Sequence, residues 1–97
     1  ALTPRRITAE IDSLLHQLDS AWTVKDNSLT RRLAFDNFSQ ALASVVQIGL
    51  VAETQGHHPD IQLGWGDVAV TIWTHAIGGL SLADFVLAAK LDELAPA

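Results

Sequence analysis

Apolar residues along the first twenty positions recur at helical spacing. Ile7, Ile11, Leu14, Leu15 and Leu18 fall on one stripe, which predicts an amphipathic helix. Thr3 reads as its N-cap and Pro4 as its first helical residue, where a missing N–H costs nothing. The stripe ends near Ser20. Residues 22–25, the turn residues Asp26-Asn27-Ser28 and residues 29–35 then predict a hairpin, because Asp and Asn tolerate positive φ. Asp36 is the expected N-cap of a second helix, with Phe38, Leu42, Val45, Val46, Gly49 and Ala52 as its buried face and an end before Gly56. Residues 61–65 and 68–74 predict two more strands around a tight turn at Gly66-Asp67. In the second, Val68, Val70 and Ile72 alternate with Ala69, Thr71 and Trp73. Gly78-Gly79 breaks the chain, and Ser81 with Asp84 resembles a capping box opening a last helix to about Leu94.

The order helix, strand, strand, helix, strand, strand, helix predicts an α+β two-layer sandwich: a four-stranded antiparallel sheet with three helices on one face. Residues 1–97 are expected to form a single domain, since no linker or low-complexity tract interrupts them. The last helix is apolar around much of its circumference (Leu82, Phe85, Val86, Leu87, Ala88, Ala89, Leu91), more than one core contact needs, which points to a subunit interface.

Composition narrows the chemistry. There is no cysteine, so a disulfide scaffold, a thiolate zinc site and a cysteine nucleophile are excluded. Six Lys and Arg against eleven Asp and Glu leave a formal charge of −5, against nucleic acid as a partner. No run of about 18 apolar residues is present to span a membrane. The first six residues lack the layout of a secretory signal, and the expected location is cytoplasmic. Catalysis would therefore rest on His, Asp, Glu, Ser, Thr or backbone groups.

Histidine is the informative residue. His16 reads as a surface position of the first helix. His57 and His58 stand side by side in a loop, where binding groups concentrate, and His75 stands at the end of the last strand. One imidazole can donate a proton while another accepts one, and a carboxylate from Glu53 or Asp84 can fix a ring tautomer. No serine lies in a nucleophile-elbow context, so proton shuffling, as in dehydration or isomerisation, fits better than acyl transfer. Three histidines also suit zinc by type, but no H-x-x-x-H or H-x-E spacing supports a metal. Asp84 also reads as a helix cap alone, and His-His-Pro as a turn alone. Trp22, Trp65 and Trp73 read first as core or interface anchors, and Arg31-Arg32 as a solvated strand edge.

Glu53-Thr-Gln-Gly-His57-His58-Pro59-Asp60, followed by Trp73-Thr74-His75 and Gly79-Leu80-Ser81-x-x-Asp84, resembles the pterin-4a-carbinolamine dehydratase family. The similarity runs from the first helix and Trp22, through Phe35-x-x-Phe38 and Val51-Ala52-Glu53, to Ala88-Ala89-Lys90. The resemblance implies dehydration of 4a-hydroxytetrahydropterin to quinonoid dihydropterin and water, with no metal or organic cofactor. It implies His57 and His75 as the acid–base pair and His58 as a binding or assisting residue. Pro59 would shape the loop, and Glu53 and Asp84 would orient His57 and His75 respectively. It also implies a homodimer or homotetramer. Two departures bear on substrate affinity: Ala83 stands where many members have Arg, and Trp73, a candidate substrate contact, where many have a smaller residue. Some dehydratase-like proteins act instead as a dimerisation cofactor of a transcription factor in animals or as a Rubisco assembly factor of α-carboxysomes. The latter is the alternative reading here.

Overall fold

A computed structural model describes residues 6–94. The expected Thr3 cap and Pro4 start lie outside those residues. The described elements run α1 (Ile11–Leu15), β1 (Thr23–Lys25), β2 (Ser28–Ala34), α2 (Phe38–Gln55), β3 (Asp60–Leu63), β4 (Asp67–Ile72), a 3-10 turn (His75–Ile77) and α3 (Leu82–Asp92). The four strands form one antiparallel sheet in the order β1-β2-β4-β3. With helices packed over it, the fold is the α+β sandwich that the hydropathy pattern predicts.

Local chemistry accounts for most boundaries. The β1–β2 turn places Asp26 at φ 52 and Asn27 at φ 61, residue types that adopt this left-handed conformation more readily than others. Along β4, Val68, Val70 and Ile72 are buried toward the helices, and the register sets Leu33, Arg31 and Leu29 of β2 opposite them. With Trp22, Ile48, Leu80, Phe85, Leu87 and Leu91 they make one core.

Three details depart from the expected pattern. Among the described residues the first helix is only five residues long, and the Ile7 N–H donates to the Leu80 carbonyl at 2.9 Å instead of into a helical turn. Its apolar stripe is nevertheless used: Ile7 is buried, and Ile11, Leu14, Leu15 and Leu18 pack on the core. The α2 cap is Asn37, not Asp36. Asn37 Oδ1 accepts from the Gln40 N–H at 2.9 Å, while the Gln40 side chain reaches back to the Asp36 N–H at 3.1 Å. The face of α2 is rotated in part: Val45 packs on the core and Ala52 is buried as expected. Ala41, Ile48 and Ala52 are buried, whereas Phe38, Leu42, Val46 and Leu50 form an exposed stripe. Small residues let the helix lie close on the sheet, and the bulkier stripe is left outward.

Arg31 is another correction. β2 is an inner strand, and the Arg31 side chain is only 11% exposed, held by Asp92 at 2.6 Å. Asp92 also accepts from Trp22 Nε1 at 2.7 Å and from the Asp19 N–H at 2.9 Å. One carboxylate thus ties the end of α3 to β2 and to the segment before β1. Of the tryptophans, Trp22 is core, while Trp65, in the β3–β4 turn, is 74% exposed.

Candidate active site

The end of α2 delivers the first histidine. Gly56 adopts φ 64, the left-handed conformation that glycine enters without steric cost, and this reverses the chain. The Gly56 N–H then returns to the Glu53 carbonyl at 3.1 Å and the His57 N–H to the Ala52 carbonyl at 3.2 Å, which anchors the His57 backbone to the helix. Pro59 leads directly into β3, whose first residue, Asp60, pairs with Thr71 of β4. β4 ends one residue later at Ile72, so His57 and His58 enter the sheet region at the end where Thr74 and His75 leave it. Two glycines follow, Gly78 at φ 58, and the Thr74 N–H closes the loop on the Gly79 carbonyl at 2.9 Å. α3 starts immediately after.

Asp84 is the centre of the arrangement. Its side chain is fully buried, at 0% exposure, and a buried carboxylate is tolerated only when its oxygens are satisfied. They are. Oδ2 accepts from the Thr74 hydroxyl at 2.8 Å and from the Ser81 N–H at 2.8 Å. Oδ1 accepts from His57 Nε2 at 2.6 Å. The Ser81 and Thr74 hydroxyls meet at 2.7 Å, and the capping box expected from Ser81 and Asp84 forms. An ionised carboxylate only accepts, so it fixes the hydrogen of His57 on Nε2 and leaves Nδ1 with its lone pair.

The carboxylates therefore pair otherwise than expected. Asp84 holds His57 rather than His75, and Glu53 Oε1 meets His58 Nε2 at 3.0 Å rather than holding His57. The reversal at Gly56 causes the second exchange by carrying His57 toward α3 and His58 back along α2. The Glu53–His58 pair is exposed, at 75% and 61%, so water screens it, whereas the Asp84–His57 bond is largely sheltered. His75 has no side-chain hydrogen bond among the described residues. Its ring stacks on Trp73 with centroids 4.3 Å apart and planes 30° apart.

Ser81 was expected only as a helix cap and Thr74 carried no assigned role; in the structure both complete the Asp84 shell. Their signal was the invitation of a buried Asp to neighbouring hydroxyls, which spacing alone does not express. His16 stays apart, with Nδ1 on the Asp12 carbonyl at 2.7 Å. Among the described residues no three His, Asp or Glu side chains converge as metal ligands. A cavity of about 160 Å³ lies under α2, lined by residues including Leu33, Phe35, Ile48 and Leu91, and contains none of these histidines. Among the described residues no helix is long and apolar enough to cross a membrane.

Residues 4–94 match the family model described as pterin 4 alpha carbinolamine dehydratase. A relative from Alkaliphilus metalliredigens, provisionally named a pterin-4-alpha-carbinolamine dehydratase, is 47% identical over 94% of this chain and 83% of its own length. One of the same provisional name from Rubrobacter xylanophilus is 46% identical over 88% of this chain and 79% of its own. Among solved structures, a transcriptional coactivator/pterin dehydratase from Brucella melitensis superposes with a TM-score of 0.87 at 33% identity, covering 95% of this chain and 100% of that one. A pterin dehydratase-like protein identified as a RuBisCO assembly factor in the alpha-carboxysome gives a TM-score of 0.64 at 27% identity, over 78% of this chain and 88% of that one.

Proposed function

The chain belongs to the pterin-4-alpha-carbinolamine dehydratase family, and from that premise we propose that it dehydrates 4a-hydroxytetrahydropterin to quinonoid dihydropterin and water. The reaction moves two protons. The 4a-hydroxyl must be protonated to leave as water, and the ring N–H must be lost as the C=N double bond forms. In this reading His57 accepts the ring proton at Nδ1, and the imidazolium so formed stays paired with the buried Asp84. His75 supplies the proton to the departing hydroxyl. His58, held by Glu53, binds the substrate or assists, and Pro59 shapes the loop that presents it. Trp73, against which His75 stacks, offers an aromatic surface for the flat pterin ring.

The observation that carries the reading is the 2.6 Å bond between His57 and a carboxylate whose other oxygen is already filled by Thr74 and Ser81. A cap alone would not need a histidine there. Stopped-flow dehydration of the 4a-carbinolamine tests it. Wild type should exceed the buffer-catalysed rate, and His57→Ala and His75→Ala should each lose about 10²-fold or more of that gain. Equal rates for wild type and both variants would remove the reading.

The protein is also proposed to work as a cytoplasmic homodimer or homotetramer. Phe38, Leu42, Val46 and Leu50 on α2 and Leu82 and Val86 on α3 are exposed, and apolar surface of this kind marks interfaces. The likeness to the RuBisCO assembly factor supports a second reading, a non-catalytic assembly protein with Rubisco or a carboxysome component as its partner. That reading predicts partner binding that survives His57→Ala with His75→Ala, and no affinity for a reduced pterin.

A further inference from the structure

His75 differs from His57 in how it is held. Its ring is stacked on Trp73 and makes no side-chain hydrogen bond among the described residues, so its place depends on the backbone turn that carries it. That turn, from Thr74 to Gly79, ends in carbonyl groups that the 3-10 geometry leaves without partners inside the turn. Arg6 fills them. Its Nη2 donates to the Ile77 carbonyl at 2.8 Å and to the Gly78 carbonyl at 2.9 Å. The next residue continues the contact, the Ile7 N–H donating to the Leu80 carbonyl at 2.9 Å.

Gly79 is shaped to this guanidinium. A Cβ at Gly79 would come within 2.9 Å of Arg6 Nε and 3.0 Å of its Cζ and Nη2, and the three nearest atoms it would meet all belong to Arg6. Gly79 is not at positive φ, so conformational freedom is not the reason for glycine there. The absent side chain makes room for the cation. Arg6 is solvent-exposed, but its main chain is anchored beside the buried Ile7, and its guanidinium bridges the end of a short turn through two hydrogen bonds.

From this we infer that Arg6 is a positioning residue for His75, bracing the turn so that the imidazole keeps its place on Trp73. The inference rests on the reading of His75 as one of the two proton-transfer groups. Misplacing a reacting group by about 1 Å can cost about 10²-fold in rate.

The test combines activity with a signal from the ring itself. In Arg6→Ala the His75 ring resonances, displaced by the face of Trp73, should move toward free-imidazole positions in NMR spectra of histidine-labelled protein. Those of His57, held by Asp84, should stay. The kcat for dehydration should fall about tenfold or more with KM changed by less than about twofold, and Arg6→Lys should recover part of the loss. Gly79→Ala, whose Cβ forces the guanidinium to shift from its present place while leaving Arg6 in the chain, should move the His75 resonances and kcat in the same direction. In the Arg6→Ala background Gly79→Ala should add almost nothing, because the atoms it would strike are gone. Unchanged His75 resonances in both single variants, or fully additive losses in the double variant, would overturn the inference. If the His75 resonances move while wild type shows no dehydratase activity, the brace stands and the dehydratase reading fails, which overturns the effect on turnover inferred for Arg6.

Discussion

Replacing Asp84 by Asn is the most informative single change, because it keeps the shape of the site and alters only charge and proton placement. The Asp84 carboxylate accepts three hydrogen bonds, from His57, Thr74 and Ser81. A bond to an ionised group contributes about 1.5–3 kcal/mol net and a neutral one about 0.5–1.5 kcal/mol, so three bonds lose about 3 kcal/mol together. For a domain of this size that corresponds to roughly 12–24 °C in Tm. The amide must turn its oxygen to Thr74 and Ser81, since an NH2 there would face the Ser81 N–H. Its NH2 then faces His57 Nε2, which becomes an acceptor, and the ring hydrogen moves to Nδ1. The fold survives while the ring presents the wrong tautomer. The expected loss in kcat is about 10²–10⁴-fold, the upper end being what the same exchange costs in catalytic triads. Thermal melting by circular dichroism and stopped-flow dehydration, corrected to folded protein, measure both quantities. An Asp84→Asn enzyme with wild-type kcat per folded molecule would refute the orienting role. A Tm within about 2 °C of wild type would refute the energetic argument.

Three further outcomes are expected. Glu53→Gln should change stability by less than about 0.5 kcal/mol in urea denaturation, because its pair with His58 is exposed to solvent; a loss near that of Asp84→Asn would contradict this. Asp92→Ala should cost about 2–4 kcal/mol, since it removes the short ion pair of the nearly buried Arg31, leaving only Asp19 at 3.7 Å, and the partner of Trp22 Nε1; a cost under about 1 kcal/mol would show that the cluster holds little. Leu50→Glu, at a position 64% exposed, should leave secondary structure intact yet reduce the mass seen in sedimentation equilibrium at micromolar concentration. An unchanged mass would show that this stripe is not an interface between subunits.

Local signals in the sequence located most of the fold. The Asp26-Asn27 turn, the alternation along β4, Gly56 as the stop of α2 and the Ser81–Asp84 box all act within a few residues, and each appears in the structure near its predicted place. What escaped depends on contacts between distant segments. α2 carries two apolar stripes of equal period, one through Ala41, Ile48 and Ala52 and one through Phe38, Leu42, Val46 and Leu50, and only docking on the sheet chooses between them. Arg31 reads as a surface residue until Asp92, sixty-one positions away, reaches it. The candidate residues His57, His58, Glu53 and Asp84 do form two His–carboxylate pairs. Which carboxylate faces which ring was not legible, because the chain reversal at Gly56 and the packing of α2 on α3 decide it together. Arg6 gave no signal at all, as its partners are backbone carbonyls.

The proposed reaction requires a reduced pterin bound between His57 and His75 for two coordinated proton transfers. A crystal structure of the protein soaked with 7,8-dihydrobiopterin tests it most directly. The pterin ring is expected at this end of the sheet, with C4a and the neighbouring ring nitrogen within reach of the His57 and His75 imidazoles and Trp73 alongside. A pterin seated elsewhere, or the site left empty at a concentration that saturates binding in solution, would contradict it.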